Sequence, residues 1–390
     1  MNRFEANGIT ATPSPLVLEF DPSLNWMSGN KTLCDGLSAV VQIGGDLWVA
    51  NDESLSLERL SHQKNSPVER PRFAEHHQFP LSDLLQLPLP PTAETESAGK
   101  IDEADIEGLA YQNGYLWLVG SHSLKRKKPR KEHSIAQNSK RLAKSSRDGN
   151  RFLLARIPWA EQTQTLARAI EIDGHRRTAA RLVGDAEGNA LVDALASDEH
   201  FAPFLHIPGK DNGFDIEGLA VVEDRILVGL RGPVLRGWAT ILELALEPSD
   251  SSTLHLRPIG PRGQPYRKHF LQLGGLGVRD LCAWGSDLLI LAGPTLALAG
   301  PLTVFRWPGG GCRPAGETMT FNTELPILLR LPAGSDSDQA EGLTLFSLAE
   351  GAPPHLLVVY DSTAANRRVG ENAVTVDLFD GVPLADGAVA

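Results

Sequence analysis

One hexapeptide, DIEGLA, occurs twice in this chain, at residues 105–110 and again at residues 215–220. Six identical residues in a row rarely recur by chance, so the chain contains internal repeats. A repeat restricts the fold strongly, because each copy has to form the same structural unit and bury its apolar face against its neighbours.

The repeat extends to five copies when the chain is aligned on an acidic residue, a following Gly-Leu or Leu, and two short apolar runs. The copies cover residues 34–53, 106–123, 216–233, 279–294 and 340–362. In each copy a polar or glycine-containing connection separates the two β-rich runs, a pattern that predicts a β-hairpin. The aligned acidic residues are Asp35, Glu107, Glu217, Asp280 and Glu341.

The spacing of the copies predicts the architecture. From Glu217 to Glu341 the aligned acids recur about every sixty residues, which accommodates four strands with their loops and is the size of a propeller blade. The 37 Gly and 27 Pro residues favour many short strands joined by turns. We therefore predict an all-β chain folded as one β-propeller domain over residues 1–390. Five blades are favoured, six would follow if the long interval from Glu107 to Glu217 hides a degenerate copy, and a β-sandwich pair is the competing architecture.

The N-terminal run Pro15–Phe20, PLVLEF, has no hairpin partner of its own. We expect it to complete the last blade, because closing a propeller with a terminal strand removes two exposed sheet edges.

Two insertions account for the extra length between Glu107 and Glu217. The first, at 124–150, is a basic flap, and the second, at 183–214, includes a short predicted helix. From Leu124 to Arg151 there are eleven Lys/Arg and two Asp/Glu, so this segment carries +9 and leaves −20 for the rest of a chain with net charge −11. A solvated loop is the default interpretation of such a run. A lid over an anionic ligand is the second interpretation, and the acidic body and absent aromatics argue against nucleic acid.

The five aligned acids stand at the starts of the predicted inner strands and would converge around the central axis. Carboxylates so close together raise one another's pKa unless a cation compensates them. A ring of oxygen ligands suits Ca²⁺ better than Zn²⁺ or Mg²⁺. We therefore predict Ca²⁺ bound by Asp35, Glu107, Glu217, Asp280 and Glu341. The alternative is that each acid accepts backbone N–H hydrogen bonds from the neighbouring blade and braces the ring.

A second polar ring is predicted where the second strands end on the same face. It contains Asp52, Ser121, Arg231 and Asp361, with His122 and Ser123 beside the basic flap. Arginine and histidine next to a bound cation could receive a small anionic ligand or substrate such as a phosphate. We predict catalytic roles for His122 and Arg231 in metal-assisted phosphoester hydrolysis, with Asp52, Ser121, Ser123 and Asp361 binding the substrate. The alternatives are that His122 is an ordinary hydrogen-bonded residue and that the propeller is a non-catalytic binding protein.

The sequence motifs typical of several other functional classes do not occur in this chain. No run approaches the roughly 18 apolar residues of a membrane span, no secretory leader is visible, and the three cysteines form no CxxC pair. We therefore expect a cytoplasmic protein without membrane contact. No GxSxG elbow, P-loop or strand-linked GxGxxG is present, which argues against serine-hydrolase, P-loop and Rossmann chemistry.

The two DIEGLA hairpins, with LWLVGSHSLKRKK following the first and ILVGLRGP following the second, resemble a bacterial family known as domain of unknown function 3616 over nearly the whole chain. That family carries no established activity. More distantly, the Glu-Gly hairpin repeat is similar to those of esterase-like phytase propellers and five-bladed calcium-dependent apyrases. This resemblance implies a central Ca²⁺ and hydrolysis of phosphoesters or phosphoanhydrides, although only the Glu-Gly positions match.

Overall fold

The computed structural model describes residues 11–27, 31–67, 69–92, 103–250, 252–296, 300–312, 315–331, 338–349, 351–380 and 382. Within these ranges β-strands predominate and the helices are short. The predicted all-β class is therefore confirmed. No helix among the described residues is long and apolar enough to cross a membrane.

Twenty strands form five antiparallel groups of four. The N-terminal strand β1 (Ser14–Glu19) belongs to the last group. Group 1 contains β2 (Leu37–Ile43), β3 (Asp46–Asn51), β4 (Ser56–His62) and β5 (Arg72–Pro80). Group 2 contains β6 (Ile106–Gln112), β7 (Tyr115–Gly120), β8 (Leu154–Ala160) and β9 (Ala180–Leu182). Group 3 contains β10 (Asp215–Val222), β11 (Arg225–Leu235), β12 (Trp238–Pro248) and β13 (Tyr266–Leu271). Group 4 contains β14 (Gly277–Trp284), β15 (Asp287–Gly293), β16 (Thr303–Trp307) and β17 (Ile327–Arg330). Group 5 contains β18 (Gln339–Phe346), β19 (His355–Asp361), β20 (Ala373–Phe379) and β1.

Shorter elements connect the groups. Among the described residues the α-helices are α1 (Leu81–Leu84), α2 (Ile135–Ala143) and α3 (Ala190–Leu195). Short strands lie at Trp26–Met27, Lys31–Thr32, Lys125–Arg126, Ser145–Ser146, Thr165–Leu166, Ala169–Ile172, His175–Thr178, Gly184–Asp185, Gly188–Asn189, Thr253–Leu256 and Thr318–Thr320. The 3₁₀ turns lie at Leu33–Asp35, Gly149–Phe152, Ala202–Phe204, Gly209–Asp211, Asn322–Glu324 and Ala365–Arg367. Helix α2 lies in the first insertion and α3 in the second.

The first strands of the five groups contact one another in a closed order. Strand β2 contacts β6, β6 contacts β10, β10 contacts β14, β14 contacts β18, and β18 returns to β2. The N-terminal strand pairs antiparallel with β20, with Ser14 opposite Leu378 and Glu19 opposite Ala373. The arrangement is therefore β-propeller-like, and the strand Ser14–Glu19 completes the last strand group, as the sequence predicts.

A separate apolar cluster fills the space between each pair of neighbouring groups. Successive residues of a strand point to opposite faces of its sheet. Leu227 accordingly packs in the cluster between groups 3 and 4, and the next residue, Val228, packs in the cluster between groups 2 and 3. Ile290 and Leu291 divide in the same way between the two clusters that flank group 4. Each strand group is thus buried on both faces, which explains the continuous apolar runs in the sequence.

Glycine allows the first strands to approach closely. A Cβ atom on Gly108 would lie 2.6 Å from the Cβ atom of Leu219 and 2.9 Å from the backbone nitrogen of that residue in the next group. Gly342 is equally restricted, because its Cβ would lie 2.5 Å from a methyl carbon of Val359 and 3.1 Å from the Cα atom of Ala39. The glycine of the repeated hexapeptide therefore lets neighbouring strands pack against each other.

Replacement of Gly108 by alanine should destabilise the fold by ~1–3 kcal/mol, because the added methyl group meets backbone and cannot be accommodated by rotation of a side chain. Gly45→Ala is the matched control, since a Cβ on Gly45 would have no atom within 4 Å. Urea denaturation should give a lower midpoint for Gly108→Ala and an unchanged midpoint for Gly45→Ala. Equal midpoints for the two variants would show that the strands are not tightly packed at Gly108.

Candidate functional site

A β-bulge identifies the equivalent positions at the start of each first strand. In every group the pairing of the first two strands skips one residue, and the skipped residues are Ser38, Glu107, Glu217, Arg279 and Glu341. The sequence alignment of Asp35 and Asp280 with the three glutamates is therefore corrected. Asp35 precedes the bulge by three residues, in the 3₁₀ turn Leu33–Asp35, and Asp280 follows it by one.

The three glutamates line one cavity of about 420 Å³. The cavity also contains other residues expected from the sequence, namely Asp52, Ser123, Arg231 and Asp361. It does not include Asp35, Ser121, His122 or Asp280 among its lining residues. The lining residues that sequence reasoning missed include Glu103, Asp105, Arg151, Lys210 and Asp215. Two of these, Asp105 and Asp215, are the first residues of the repeated hexapeptides, so the repeat itself contained the signal.

Arginines neutralise one side of the cavity. Arg231 forms ion pairs with Asp215 and with Glu217, the latter at 2.5 Å between Nη1 and Oε1. Arg279, at the bulge position of group 4, lies 3.2 Å from Glu217 and 2.7 Å from Glu341. Arginine can bridge two carboxylates because its planar guanidinium has five N–H donors. Groups 3, 4 and 5 are thus joined by a chain of alternating charges.

A third arginine holds the acidic residues of group 2. Nη2 of Arg151 lies 2.7 Å from carboxylate oxygens of both Glu103 and Asp105. Its Nη1 donates to Ser123 Oγ at 2.8 Å and to Ser121 Oγ at 3.3 Å. The two predicted substrate-binding serines therefore orient Arg151, and Ser121 does so from outside the cavity lining.

The opposite side of the cavity has carboxyl groups without such compensation. Among the described residues, the carboxyl groups of Asp52 and Glu107 form no hydrogen bond or ion pair, and the carboxyl of Asp361 is bonded only to Ser362 Oγ at 3.2 Å. Burial, reinforced by Asp361, Asp105 and Glu341, raises the pKa of Asp52 well above its ordinary value. Burial and the nearby carboxylates likewise raise the pKa of Glu107.

Glu341 connects the two sides of the cavity. Burial is the main cause that raises its pKa to about 8, the negative charge of Asp361 adds to this effect, and Arg279 opposes it. This group of acids therefore holds protons at neutral pH or requires a cation before all its members can ionise. Within the described part of the chain, no three His, Cys, Asp or Glu side chains already form a metal-binding cluster.

The two insertions supply a basic rim. Flap residues 124–129 and Leu142 line the cavity together with Lys210, which lies in the 3₁₀ turn Gly209–Asp211. The turn is fixed to the flap by a hydrogen bond from Gly209 N to Leu124 O at 3.1 Å and by an ion pair between Arg126 and Asp211 at 2.5 Å. Burial and Arg231 disfavour the charge on Lys210, but the carboxylates of Glu341 and Glu107 outweigh them and raise its pKa.

His122 lies outside the cavity and has a packing role. Its Nδ1 is 2.7 Å from Gly120 O, so Nδ1 carries the proton, and its Nε2 accepts from the Asn189 amide at 2.7 Å. The ring is buried against Phe152, and burial lowers its pKa to about 4. A histidine with both nitrogens occupied inside the protein has no free atom for acid–base chemistry in the cavity, so the catalytic interpretation of His122 is replaced by this one.

Asp35 and Asp280 stabilise the fold. Asp35 accepts a hydrogen bond from Thr32 at 2.5 Å and pairs with Arg368 at 2.9 Å. The buried carboxylate of Asp280 accepts the backbone N–H groups of Leu281 and Leu343, each at 2.7 Å. Because Leu343 belongs to β18, Asp280 joins groups 4 and 5 in the way expected of a structural brace.

Neutral His122 should make the folded state sensitive to acid. Its folded pKa of about 4 lies below the ordinary value of 6.5, so the unfolded chain binds the additional proton as the pH falls between these values. This contribution to stability is complete above 6.5 and is lost by pH 4, amounting to ~3 kcal/mol at most.

We expect His122→Asn to remove this sensitivity, because asparagine tolerates the positive φ of 55° at this position and does not titrate. Urea denaturation at pH 7 and pH 5 should show a larger loss of stability in the wild type than in the variant. Parallel losses would indicate that His122 is charged or exposed in the folded protein.

An all-β, β-propeller-like protein with a charged central cavity is the class that the fold and the site define. The family model described as "Protein of unknown function (DUF3616)" matches residues 36–377, and the chain belongs to this family. No curated protein matches the chain.

Solved structures that match the chain have low sequence identity to it. A putative 6-phosphogluconolactonase from Bacteroides uniformis is 10% identical, with a TM-score of 0.30, and the match covers 82% of this chain and 62% of that protein. The PQQ-bound aldose sugar dehydrogenase from Streptomyces coelicolor is 11% identical, with a TM-score of 0.33, and the match covers 95% of this chain and 99% of the dehydrogenase. The chain thus spans less than two thirds of the lactonase's length.

Proposed function

We propose that the five strand groups are the blades of a five-bladed propeller and that its central cavity binds Ca²⁺ together with a small anionic ligand. The observation that carries this proposal is the set of four acids on the uncompensated side of the cavity. Asp52, Glu107, Glu341 and Asp361 come from three neighbouring groups, and they share one cavity. Of these four acids, only Glu341 forms an ion pair with an arginine among the described residues.

Ca²⁺ is the cation that these residues fit best. Carboxylate oxygens are hard ligands, and Ca²⁺ accepts six to eight of them in irregular geometry with water completing the shell. Direct and water-mediated ligation can therefore use carboxylates that do not converge on one point. Glu217, which the sequence predicts as a Ca²⁺ ligand, is not part of the proposed cation site, because Arg231 and Arg279 already neutralise it.

The anionic ligand would enter beneath the flap. Lys127, Lys128 and Lys210 face the cavity and form no ion pair with the described acids, whereas the charge of Arg231 is engaged by Asp215 and Glu217. A ligand phosphate could pair with these lysines while its oxygens approach the cation. In this position Ca²⁺ would polarise a phosphate ester for attack by water.

A non-catalytic binding protein is the second candidate. It is favoured by the composition of the described cavity lining, which includes neither histidine nor cysteine. The serine in the lining, Ser123, is bound to Arg151 and Ser121. In this case the acidic side of the cavity and the basic rim hold a metal-bound anion without cleaving it.

Cation binding can be tested with Glu107→Gln. The substitution keeps the size of the side chain and removes one carboxylate, so the affinity for Ca²⁺ measured by calorimetry should fall at least about tenfold. Glu171→Gln changes an exposed acid on the hairpin Ala169–Ile172 and serves as the control. Ca²⁺ should raise the melting temperature of the wild type and of the control, and chelator should reverse the effect. The Ca²⁺ proposal fails if neither Ca²⁺ nor chelator changes melting, or if Glu107→Gln responds like the wild type.

Hydrolysis is a separate question that a panel of phosphomonoesters and nucleotides can answer. A hydrolase should show Ca²⁺-dependent release of phosphate that decreases at least about tenfold in Lys210→Gln, because a charge-assisted contact to the substrate is lost. Lys144→Gln, which changes a flap residue outside the cavity lining, should leave the rate unchanged. Ca²⁺ binding without any phosphate release would contradict the hydrolase and support the binding protein.

A further inference from the structure

Arginines stacked on aromatic rings differ in whether they also have an acidic partner. Six arginines of the described chain lie over a ring, namely Arg59, Arg147, Arg156, Arg177, Arg306 and Arg367. Four of them lie within 4 Å of a carboxylate: Arg59 with Asp46, Arg147 with Glu187, Arg306 with Asp287, and Arg367 with Asp338 and Asp377. Arg156 and Arg177 have no such partner among the described residues, and these two share the ring of Tyr115.

Arg156 is the more restricted of the two. Its Cζ lies 4.5 Å from the ring centroid of Tyr115 and 5.7 Å from that of Trp117. Its Nε is buried without a hydrogen-bond partner. Burial lowers the pKa of Arg156, and the positive charge of Arg177 adds to this effect. A guanidinium whose Nε is buried without an acceptor is destabilised, so the site gains stability when an anion reaches it.

A small cavity adjoins this guanidinium. It has a volume of about 160 Å³, and its lining includes Arg156, the acidic residues Glu223 and Asp224, the polar residues Gln112 and Asn113, and the aromatic residues Tyr115 and Trp117. It lies between groups 2 and 3 at the turn between β6 and β7. The central cavity is at the opposite end of β6, where Glu107 is located, so the two cavities are distinct.

The two acidic residues of the lining, Glu223 and Asp224, form no ion pair with Arg156 among the described residues. Asp224 pairs with Arg257 at 2.9 Å. The carboxylate of Glu223 is exposed and forms no ion pair within the described residues. Arg177 donates from Nη1 to Asn113 O at 2.9 Å, which fixes its guanidinium near the turn between β6 and β7.

We propose that this cavity is a binding site for a small oxyanion, a phosphate group, with Arg156 as the ligand and with Arg177, which shares the Tyr115 ring but does not line the cavity, adding positive charge nearby. The planar fork of a guanidinium matches the spacing of two phosphate oxygens, and the aromatic rings keep the fork in place. An anion next to Arg156 also reduces the repulsion between the two arginines. The site does not depend on the proposed function of the central cavity.

Titration with inorganic phosphate tests the site. The titration is carried out by calorimetry in the presence of a chelator. Every protein tested also carries Lys210→Gln as a common background, so that phosphate binding in the central cavity is reduced. Arg156→Gln should weaken phosphate binding at least about tenfold, and Arg177→Gln should weaken it to a smaller extent. Arg306→Gln is the matched control, because Arg306 also stacks on a tryptophan, at 4.9 Å from Trp284, but is paired with Asp287.

A site-specific signal completes the test. The indole N–H resonance of Trp117, assigned with Trp117→Phe, should shift on addition of phosphate in the background protein and remain fixed in Arg156→Gln. Acetate is titrated in parallel, and equal affinity for acetate would contradict the assignment to phosphate. The proposal is also overturned if phosphate does not bind, as expected when Glu223 occupies the site in solution, or if binding survives in both Arg156→Gln and Arg177→Gln. If circular dichroism shows that Arg156→Gln is unfolded, the phosphate titration of Arg177→Gln alone tests the proposal.

Discussion

The close approach of the five first strands is the constraint on which the rest of the structure depends. Gly108 and Gly342 are needed where the backbone or side chains of the neighbouring group leave no room for a Cβ atom. The same approach brings the bulged residue beside each of these glycines to the central axis. The Glu-Gly pair of the hexapeptide therefore has two coupled roles. The glycine lets the first strands pack closely, and the glutamate is the residue whose carboxylate this packing brings close to other carboxylates.

The carboxylates in this narrow ring are balanced in two different ways. On the side of groups 3 and 4, Arg231 and Arg279 neutralise Glu217. Arg231 also pairs with Asp215, and Arg279 also pairs with Glu341. On the side of groups 1, 2 and 5, Asp52, Glu107 and Asp361 remain without arginine partners in the described chain. The structural brace and the proposed cation site, which are alternatives when only the sequence is considered, thus involve different members of the ring. Asp280 belongs to the brace, and Glu107 is the strongest candidate for the cation site.

The strand hairpins could be predicted from the sequence because apolar runs, turns and the acidic motif recur together in each copy. The predicted pairing of Pro15–Phe20 with the last strand group followed from the same pattern, and β1 pairs with β20. The bulge could not be located, because it depends on hydrogen-bond register and the alignment used residue identity. Asp35-Gly-Leu resembles Glu107-Gly-Leu in letters, yet Ser38 occupies the equivalent position.

The charge partners were also beyond sequence reasoning, since they come from distant parts of the chain. Arg151 lies 46 residues after the Asp105 that it pairs with, and Lys210 reaches the cavity from an insertion. Neither has a local pattern that distinguishes it from a surface residue. His122 is the opposite case, a residue that sequence reasoning assigned to the site although it lies outside it. Its position beside two serines and a basic run suggested a functional role, but its ring is packed in the interior.

The central claim is that Asp52, Glu107, Glu341 and Asp361 hold a cation that the arginines do not replace. Anomalous diffraction from crystals soaked in Tb³⁺, a luminescent substitute for Ca²⁺ with similar oxygen ligands, would test it most directly. The account predicts one strong anomalous peak in the central cavity within bonding distance of Glu107 and at least one of the other three carboxylates. A cavity without a peak, with ordered arginine or lysine side chains paired to all four acids, would contradict it.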